Sequence, residues 1–342
     1  MLIVDGIRLP GHFQPEFIER ARGYHQPRDD ILIVSYPKAG THWLCHILSL
    51  ILTDFGTTEA PVYLEAAGDN GQTTVNISNQ PRIVFSHLPI GFFETVKSKS
   101  SAEPVSEYDS ESDEIIVKRR KPREIARYRR LHKVIYLCRN PADVIVSYHY
   151  HCQTLASLYG DEYACKSLEE FSESFLKDEC YYGSYFKHVK DWLSSTEFDL
   201  HVVSYEQLQL DFNSTIRELL KFIGREKWLS EGNTQVKLRR LREECTINRT
   251  RRLIQKQVAD IVCKAIDGDH LSQDQRHSVK RIQTENSDRE KFISVFAHKG
   301  LIGEGQAKLN DEILRKLHTL TIELLADTPI AHIWKSLGIL RS

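Results

Sequence analysis

Residues 31–43 read ILIVSYPKAGTHW. The run from Ile31 to Ser35 is continuously apolar up to its last residue and is bounded by a proline, which reads as a fully buried strand. The run THWLCHILSLIL at 41–52 follows, and its nearly all-round apolarity reads as a deeply buried helix. A strand that ends in a loop opening a helix aims several unpaired backbone N–H groups at one point. The helix dipole adds to them, so such a junction is an anion site. Gly40 lets the backbone approach an anion closely because it has no Cβ. Lys38 supplies a full positive charge, Thr41 a hydroxyl at the helix start, and Trp43 a flat face suited to a base. The competing reading is a plain strand-to-helix turn with a surface lysine. A Walker A loop is excluded: that motif requires Gly-Lys, and here the lysine precedes the glycine.

The same strand grammar recurs in RIVFS (82–86), KVIYLC (133–138) and LHVVS (200–204), each rich in Val, Ile and Leu and each followed by a polar or Gly/Pro break. Helical patterns lie between them. SLEEFSESFLKD (167–178) opens with a capping box, Ser167 and Glu170. DFNSTIRELLKFIG (211–224) stops at Gly224 in the C′ position, and NDEILRKLHTLTIELLA (310–326) is amphipathic. Strands alternating with helices predict an α/β fold, a central parallel sheet with helices on both faces in a three-layer sandwich. A single domain over 1–342 is expected. Two stretches break the rhythm: an acidic block followed by a basic one at 97–132, expected to be a solvated or disordered insert, and a charge-rich stretch at 232–290.

The 342 residues are 41% hydrophobic and 27% charged, enough apolar material for a sizeable core. With 46 Lys and Arg against 47 Asp and Glu, the formal net charge of −1 argues against a general polyanion binder. The basic run at Lys118–Arg130 leaves nucleic-acid binding as the last-placed reading, weakened by the neighbouring acids. Seven cysteines form no CxxC pair and several sit in apolar runs, which predicts buried reduced thiols. No His/Cys/Asp spacing suggests a metal site. The segment MLIVDGIRLPGHF has neither the basic region nor the long apolar core of a secretory signal, and no apolar run approaches the ~20 residues that span a bilayer. A cytoplasmic protein without a membrane segment is expected.

YPKAGTHW closely resembles the YPKSGTTW loop of the cytosolic sulfotransferases, which use 3′-phosphoadenosine 5′-phosphosulfate (PAPS). KVIYLCRNPADVIVSYHYH (133–151) is similar to that family's 3′-phosphate motif, and FSHLP (85–89) to its KTHLP segment. YYGSYFKHVKDW (181–192), SYEQLQLDFNSTIRELLKFIG (204–224) and HKGLIG (298–303) follow in the family's order. The resemblance implies a P-loop-like sulfotransferase fold with PAPS as co-substrate and no metal. It implies that Lys38 and the loop Ala39, Gly40, Thr41, His42 and Trp43 hold the 5′-phosphosulfate and the adenine, with Lys38 also stabilising the leaving phosphate. Arg139 and Ser147 grip the 3′-phosphate, Tyr182 touches the adenine, and His298, Lys299 and Gly300 close over the nucleotide. His87 becomes the general base for in-line transfer to a hydroxyl or amine of a small, apolar acceptor. Phe85 and His149 are candidates for lining the acceptor pocket, with packing under the His87 strand the competing reading for Phe85 and a helix-surface position for His149.

Departures from the family pattern leave an alternative open. Phe85 stands where the family carries a lysine that stabilises the transferring sulfuryl group, His42 replaces a loop threonine, and His298 replaces an arginine. A sulfotransferase-like protein that binds PAPS or its desulfated product (PAP) with weak or no transfer is therefore the rival reading. A glycan-modifying enzyme is disfavoured by the histidine in FSHLP and the missing anchor. The family's KxxxTVxxxE dimer segment is not found, which leaves the oligomeric state open. The family's TSF segment aligns best with Cys245, Thr246 and Ile247.

Overall fold

The computed structural model describes residues 2–10, 13, 15–27, 29–56, 60–66, 81–93, 105–109, 114–118, 131–154, 166–230, 233–254 and 299–340. Among them, five strands form the central sheet: β3 (Ile31–Ser35), β4 (Val62–Tyr63), β5 (Ile83–Ser86), β8 (Lys133–Cys138) and β9 (Asp199–Ser204). Their order is β4-β5-β3-β8-β9 and every neighbouring pair is parallel. A short antiparallel pair, β1 (Leu2–Val4) and β2 (Ile7–Leu9), stands apart from it.

Alternation along the strands divides the core into two layers, as the pleat dictates. Leu32, Val34, Val84, Val134 and Tyr136 face one side, where they pack with α1 (Pro15–Arg22), α3 (Pro141–Thr154), α4 (Leu168–Leu176), α5 (Tyr185–Leu193), α11 (Asp311–Leu325) and α12 (Pro329–Ser336). Ile31, Ile33, Ile135 and Leu137 face the other, against α2 (Thr41–Leu52), α7 (Phe212–Phe222) and α9 (Thr234–Glu244). The expected three-layer α/β sandwich is therefore the fold. Its four predicted strands are present to within one residue at each end.

The capping box at α4 forms in full: Glu170 N donates to Ser167 Oγ at 3.2 Å and Ser167 N donates to Glu170 Oε2 at 2.7 Å. The predicted helix at 211–224 is preceded by a separate short helix, α6 (Tyr205–Leu210), which starts at the end of β9, and is followed by the single turn α8 (Lys227–Ser230). The strands β1, β2 and β4 are elements that sequence periodicity missed, being only two or three residues long.

Within the charged insert, β6 (Val105–Asp109) and β7 (Glu114–Lys118) pair antiparallel. The rest of 97–130 and residues 255–298 lie outside the described residues. Cys45, Cys138, Cys152, Cys180 and Cys245 are buried free thiols. Among the described residues no helix is long and apolar enough to cross a membrane.

Strand order reverses direction about β3. The chain places β4 and β5 on one side of it and β8 and β9 on the other. Open α/β sheets bind ligands outside the carboxyl ends of the strands at such a switch point. The loop at Lys38 follows β3, His87 follows β5, Arg139 follows β8 and Tyr205 follows β9.

Candidate active site

The loop after β3 is held in an uncommon conformation. Lys38 has φ 70° and Gly40 φ 107°, so two of its residues are left-handed. Gly40 is the N-cap of α2 and offers no side-chain cap to the first turn, where Trp43 N donates to Gly40 O at 3.0 Å. A Cβ on Gly40 would lie 2.6 Å from Tyr205 Cδ2, so only glycine fits this close approach. Ala39 and Thr41 are buried, and Thr41 Oγ1 shares a 2.6 Å hydrogen bond with Ser35 Oγ. Burial, followed by the nearby Arg139 charge, pushes the Lys38 ammonium down to about 7.

Arg139, at the end of β8, is oriented from several directions. Its carbonyl accepts from Tyr185 Oη at 2.6 Å, and its guanidinium lies 4.4 Å over the Tyr205 ring. Nη2 donates to Leu301 O at 2.9 Å and Nη1 to Lys38 O at 3.3 Å. Nε is buried without a partner, an orphaned donor beside the Lys38 loop that an anion would satisfy. Asp143, one turn along α3, accepts from the N–H groups of Gly303 (3.0 Å) and Gly305 (2.7 Å). That carboxylate ties α3 to the segment carrying Lys299 and Gly300, which leads into α10 (Glu304–Lys308).

Tyr205 joins these parts and sequence reasoning missed it. Its ring meets Trp43 edge-on at 5.2 Å, supports Arg139, and faces Gly40. Its hydroxyl donates to Gly300 O at 2.9 Å. The available signal was its position directly after a strand end in SYEQ. Trp43 Nε1 donates to Cys245 O at 2.7 Å, and Ile247 Cδ1 is 3.3 Å from where a Gly300 Cβ would stand. The 245–247 segment therefore borders the same side of the crevice as Trp43.

His87 lies on the other side. Its Nδ1 is 2.9 Å from Ser35 O, and a carbonyl can only accept, so Nδ1 carries the proton and Nε2 the lone pair. Its carbonyl accepts from His188 Nε2 at 3.0 Å, and its N–H donates to Glu65 Oε1 at 2.6 Å. Burial holds the imidazole down at about 4, partly opposed by the bond to Ser35 and reinforced by the Lys38 charge. His87 is thus neutral at neutral pH. His42 is held lower still, at about 3, by burial and then by His87 and Lys38.

Three further sequence-predicted residues, Tyr182, Phe85 and His149, have the following surroundings. Tyr182 packs edge-on against His87 at 5.7 Å and shares a 2.8 Å hydrogen bond with the Tyr63 hydroxyl, away from the Trp43 and Tyr205 face. Phe85 is 2% exposed because Tyr63 stacks on it at 4.6 Å and 6° and His42 meets its edge. Both rings meet His87 edge-on, Tyr63 at 5.6 Å and Phe85 at 6.0 Å. His149 Nε2 is 2.9 Å from Lys166 O and its ring packs on Phe171, neither of them part of this crevice. Ser147 lies in α3, half-buried, as expected for a hydroxyl in the helix after Arg139. His298 lies outside the described residues. Among the described residues no His/Cys/Asp/Glu group could hold a metal ion.

The sulfotransferase domain family matches residues 28–329. The chain is 31% identical over 231 residues to sulfotransferase 2B1 of Mus musculus, an alignment covering 64% of this chain and 58% of that protein. It is 31% identical over 230 residues to 3-beta-hydroxysteroid sulfotransferase of Cavia porcellus, covering 65% and 68%. The match thus spans less than two thirds of the length of the mouse relative. The fold is similar to that of mouse sulfotransferase SULT7A1 complexed with PAP, with a TM-score of 0.65, 20% identity and 98% of each chain covered. It is also similar to retinol dehydratase in complex with androsterone and inactive cofactor PAP, with a TM-score of 0.59, 16% identity, and 93% and 87% covered.

Proposed function

This chain belongs to the sulfotransferase family, and from that premise we propose that it transfers a sulfuryl group from PAPS to a hydroxyl or amine of a small, apolar acceptor. The observation that carries the proposal is the pairing of two strand ends. The loop after β3 presents Lys38 and the α2 N-terminus, and the Ser35 carbonyl of the same strand fixes His87 with Nε2 available. A phosphosulfate on the loop and an acceptor at His87 would meet at the carboxyl edge of adjacent strands.

In the proposed reaction His87 Nε2 takes the proton of the acceptor O–H or N–H. The acceptor atom attacks sulfur in line, and the bond from sulfur to the phosphate oxygen breaks, releasing PAP. Lys38 and the α2 N–H groups stabilise the charge that gathers on the departing phosphate. Arg139 would bind the 3′-phosphate through its orphaned Nε, with Ser147 and the Lys299–Gly300 segment beside it. Trp43 and Tyr205 would flank the adenine. Tyr63 and Tyr182 would border the acceptor, a role that replaces the adenine contact expected of Tyr182.

Phe85 favours a second reading, binding without turnover, since a stacked phenyl ring supplies no charge to the sulfuryl group. A transfer assay with sulfur-labelled PAPS and a mixed panel of phenols, alcohols and amines separates the two. Label on an acceptor supports transfer; tight PAP binding with every acceptor unlabelled supports the second reading.

A further inference from the structure

Glu65 lies in a single 3₁₀ turn, Leu64–Ala66, directly after the edge strand β4. Its side chain is fully buried, and Oε1 accepts from His87 N at 2.6 Å. Oε2 is buried without a partner. Burying a carboxyl in this way is costly unless the group does something for the fold or the site. The strand ladder explains what it does. On the β4 side β5 is paired only at Val62 with Val84 and Tyr63 with Phe85, so beyond Ser86 the main chain has left the sheet. His87 N–H is a donor just past that end, and Glu65 supplies the acceptor that a longer β4 would have provided.

We propose that Glu65 is a positioning residue for the transfer reaction, holding the main chain at His87 so that the imidazole keeps its bond to Ser35 O and presents Nε2 to the acceptor. This rests on the sulfuryl-transfer reading above. Three bonds then define His87: N–H to Glu65, C=O from His188 and Nδ1–H to Ser35. Burial pushes the Glu65 carboxyl up to about 8, the His87 N–H bond partly opposing it, so the group is largely neutral at pH 7. A glutamine is then close to it in shape and keeps the acceptor oxygen.

The test compares Glu65→Gln, Glu65→Leu and Glu65→Asp with wild type, reading kcat in the transfer assay and PAP affinity by calorimetry. A wild type that transfers no label fails the underlying reading and not this one. With transfer established, Glu65→Gln is expected within about threefold of wild type, and Glu65→Leu about 100-fold lower in kcat, the scale of a misplaced reacting group. PAP affinity is expected to change less than twofold in both. Should Glu65→Leu not fold, Glu65→Asp decides: its carboxyl is withdrawn by about 1.5 Å, and a large drop in kcat at unchanged PAP affinity supports the proposal. Wild-type kcat in the leucine or aspartate variant overturns it, as does a parallel loss of kcat and PAP affinity.

Discussion

The Ser35 carbonyl oxygen and His87 Nδ1 are 2.9 Å apart, joining the ends of neighbouring strands β3 and β5. Because the carbonyl fixes the tautomer, Nε2 is the basic nitrogen. Replacing His87 with alanine is expected to lower kcat by about 10²–10⁴-fold, the usual worth of a positioned general base. Lys38→Ala is expected to lower both transfer and PAP affinity, since the proposed reaction uses the ammonium for both. Calorimetry with PAP beside the transfer assay distinguishes the two patterns.

Lys38 gives the site a pH dependence of definite sign. Its ammonium is held at about 7, so in the free enzyme it loses its charge as pH rises through that value. His87 stays neutral until about 4. The kcat/KM for PAPS, which reports the free enzyme, is expected to level off between these values and to fall above pH 7. In Lys38→Arg, whose charge persists to high pH, the alkaline fall should vanish whatever the height of the plateau.

Gly40 combines a positive φ with contact against the Tyr205 ring. Gly40→Ala is expected to introduce strain of about 1–3 kcal/mol. PAP dissociation constants should rise by about tenfold or more, measurable by calorimetry, with β3 and α2 intact by circular dichroism. A variant with wild-type affinity contradicts the close packing of loop and Tyr205.

Tyr205→Phe removes the hydroxyl that holds Gly300 O but leaves the ring under Arg139. A loss of about 1 kcal/mol in PAP binding is expected, roughly a fivefold weaker affinity. Tyr205→Leu also removes the face beneath the guanidinium and should be weaker again.

Glu65 predicts a stability trend. Its carboxyl titrates near 4.5 when unfolded and about 8 when folded, so between these values the folded chain holds the extra proton. The stabilisation is fully present below 4.5 and is lost as pH rises through 8. The Tm of wild type is expected to fall from pH 6 to 9 through this group. Glu65→Gln, which cannot titrate, should show a flatter profile.

Strands β3, β5 and β8 were legible because they are buried along nearly their whole length. Their segments are short apolar runs, and the glycine and lysine after the first strand marked that loop as a candidate anion site. What escaped notice depends on contacts remote in sequence. Val62–Tyr63 is too short to show a period, so nothing in VYLEAA marked Glu65 as the partner of His87 twenty-two positions on. A tyrosine beside Gly183 fits either side of the crevice, and only the fold brings Tyr182 to His87. His149 shares α3 with Ser147, in the helix that follows Arg139, but helical rotation turns it to Lys166 and Phe171. Phe85 fits either pocket lining or packing under the His87 strand by sequence alone, and Tyr63 stacks on it from the neighbouring strand.

The most direct test is a single-turnover measurement with sulfur-labelled PAPS, saturating enzyme and an acceptor found by the panel, run on wild type and His87→Ala. Rapid label transfer in wild type, slowed by about 10² or more in the variant at equal PAP affinity, is the predicted result. Equal rates in the two proteins would contradict the assignment of His87 as the base.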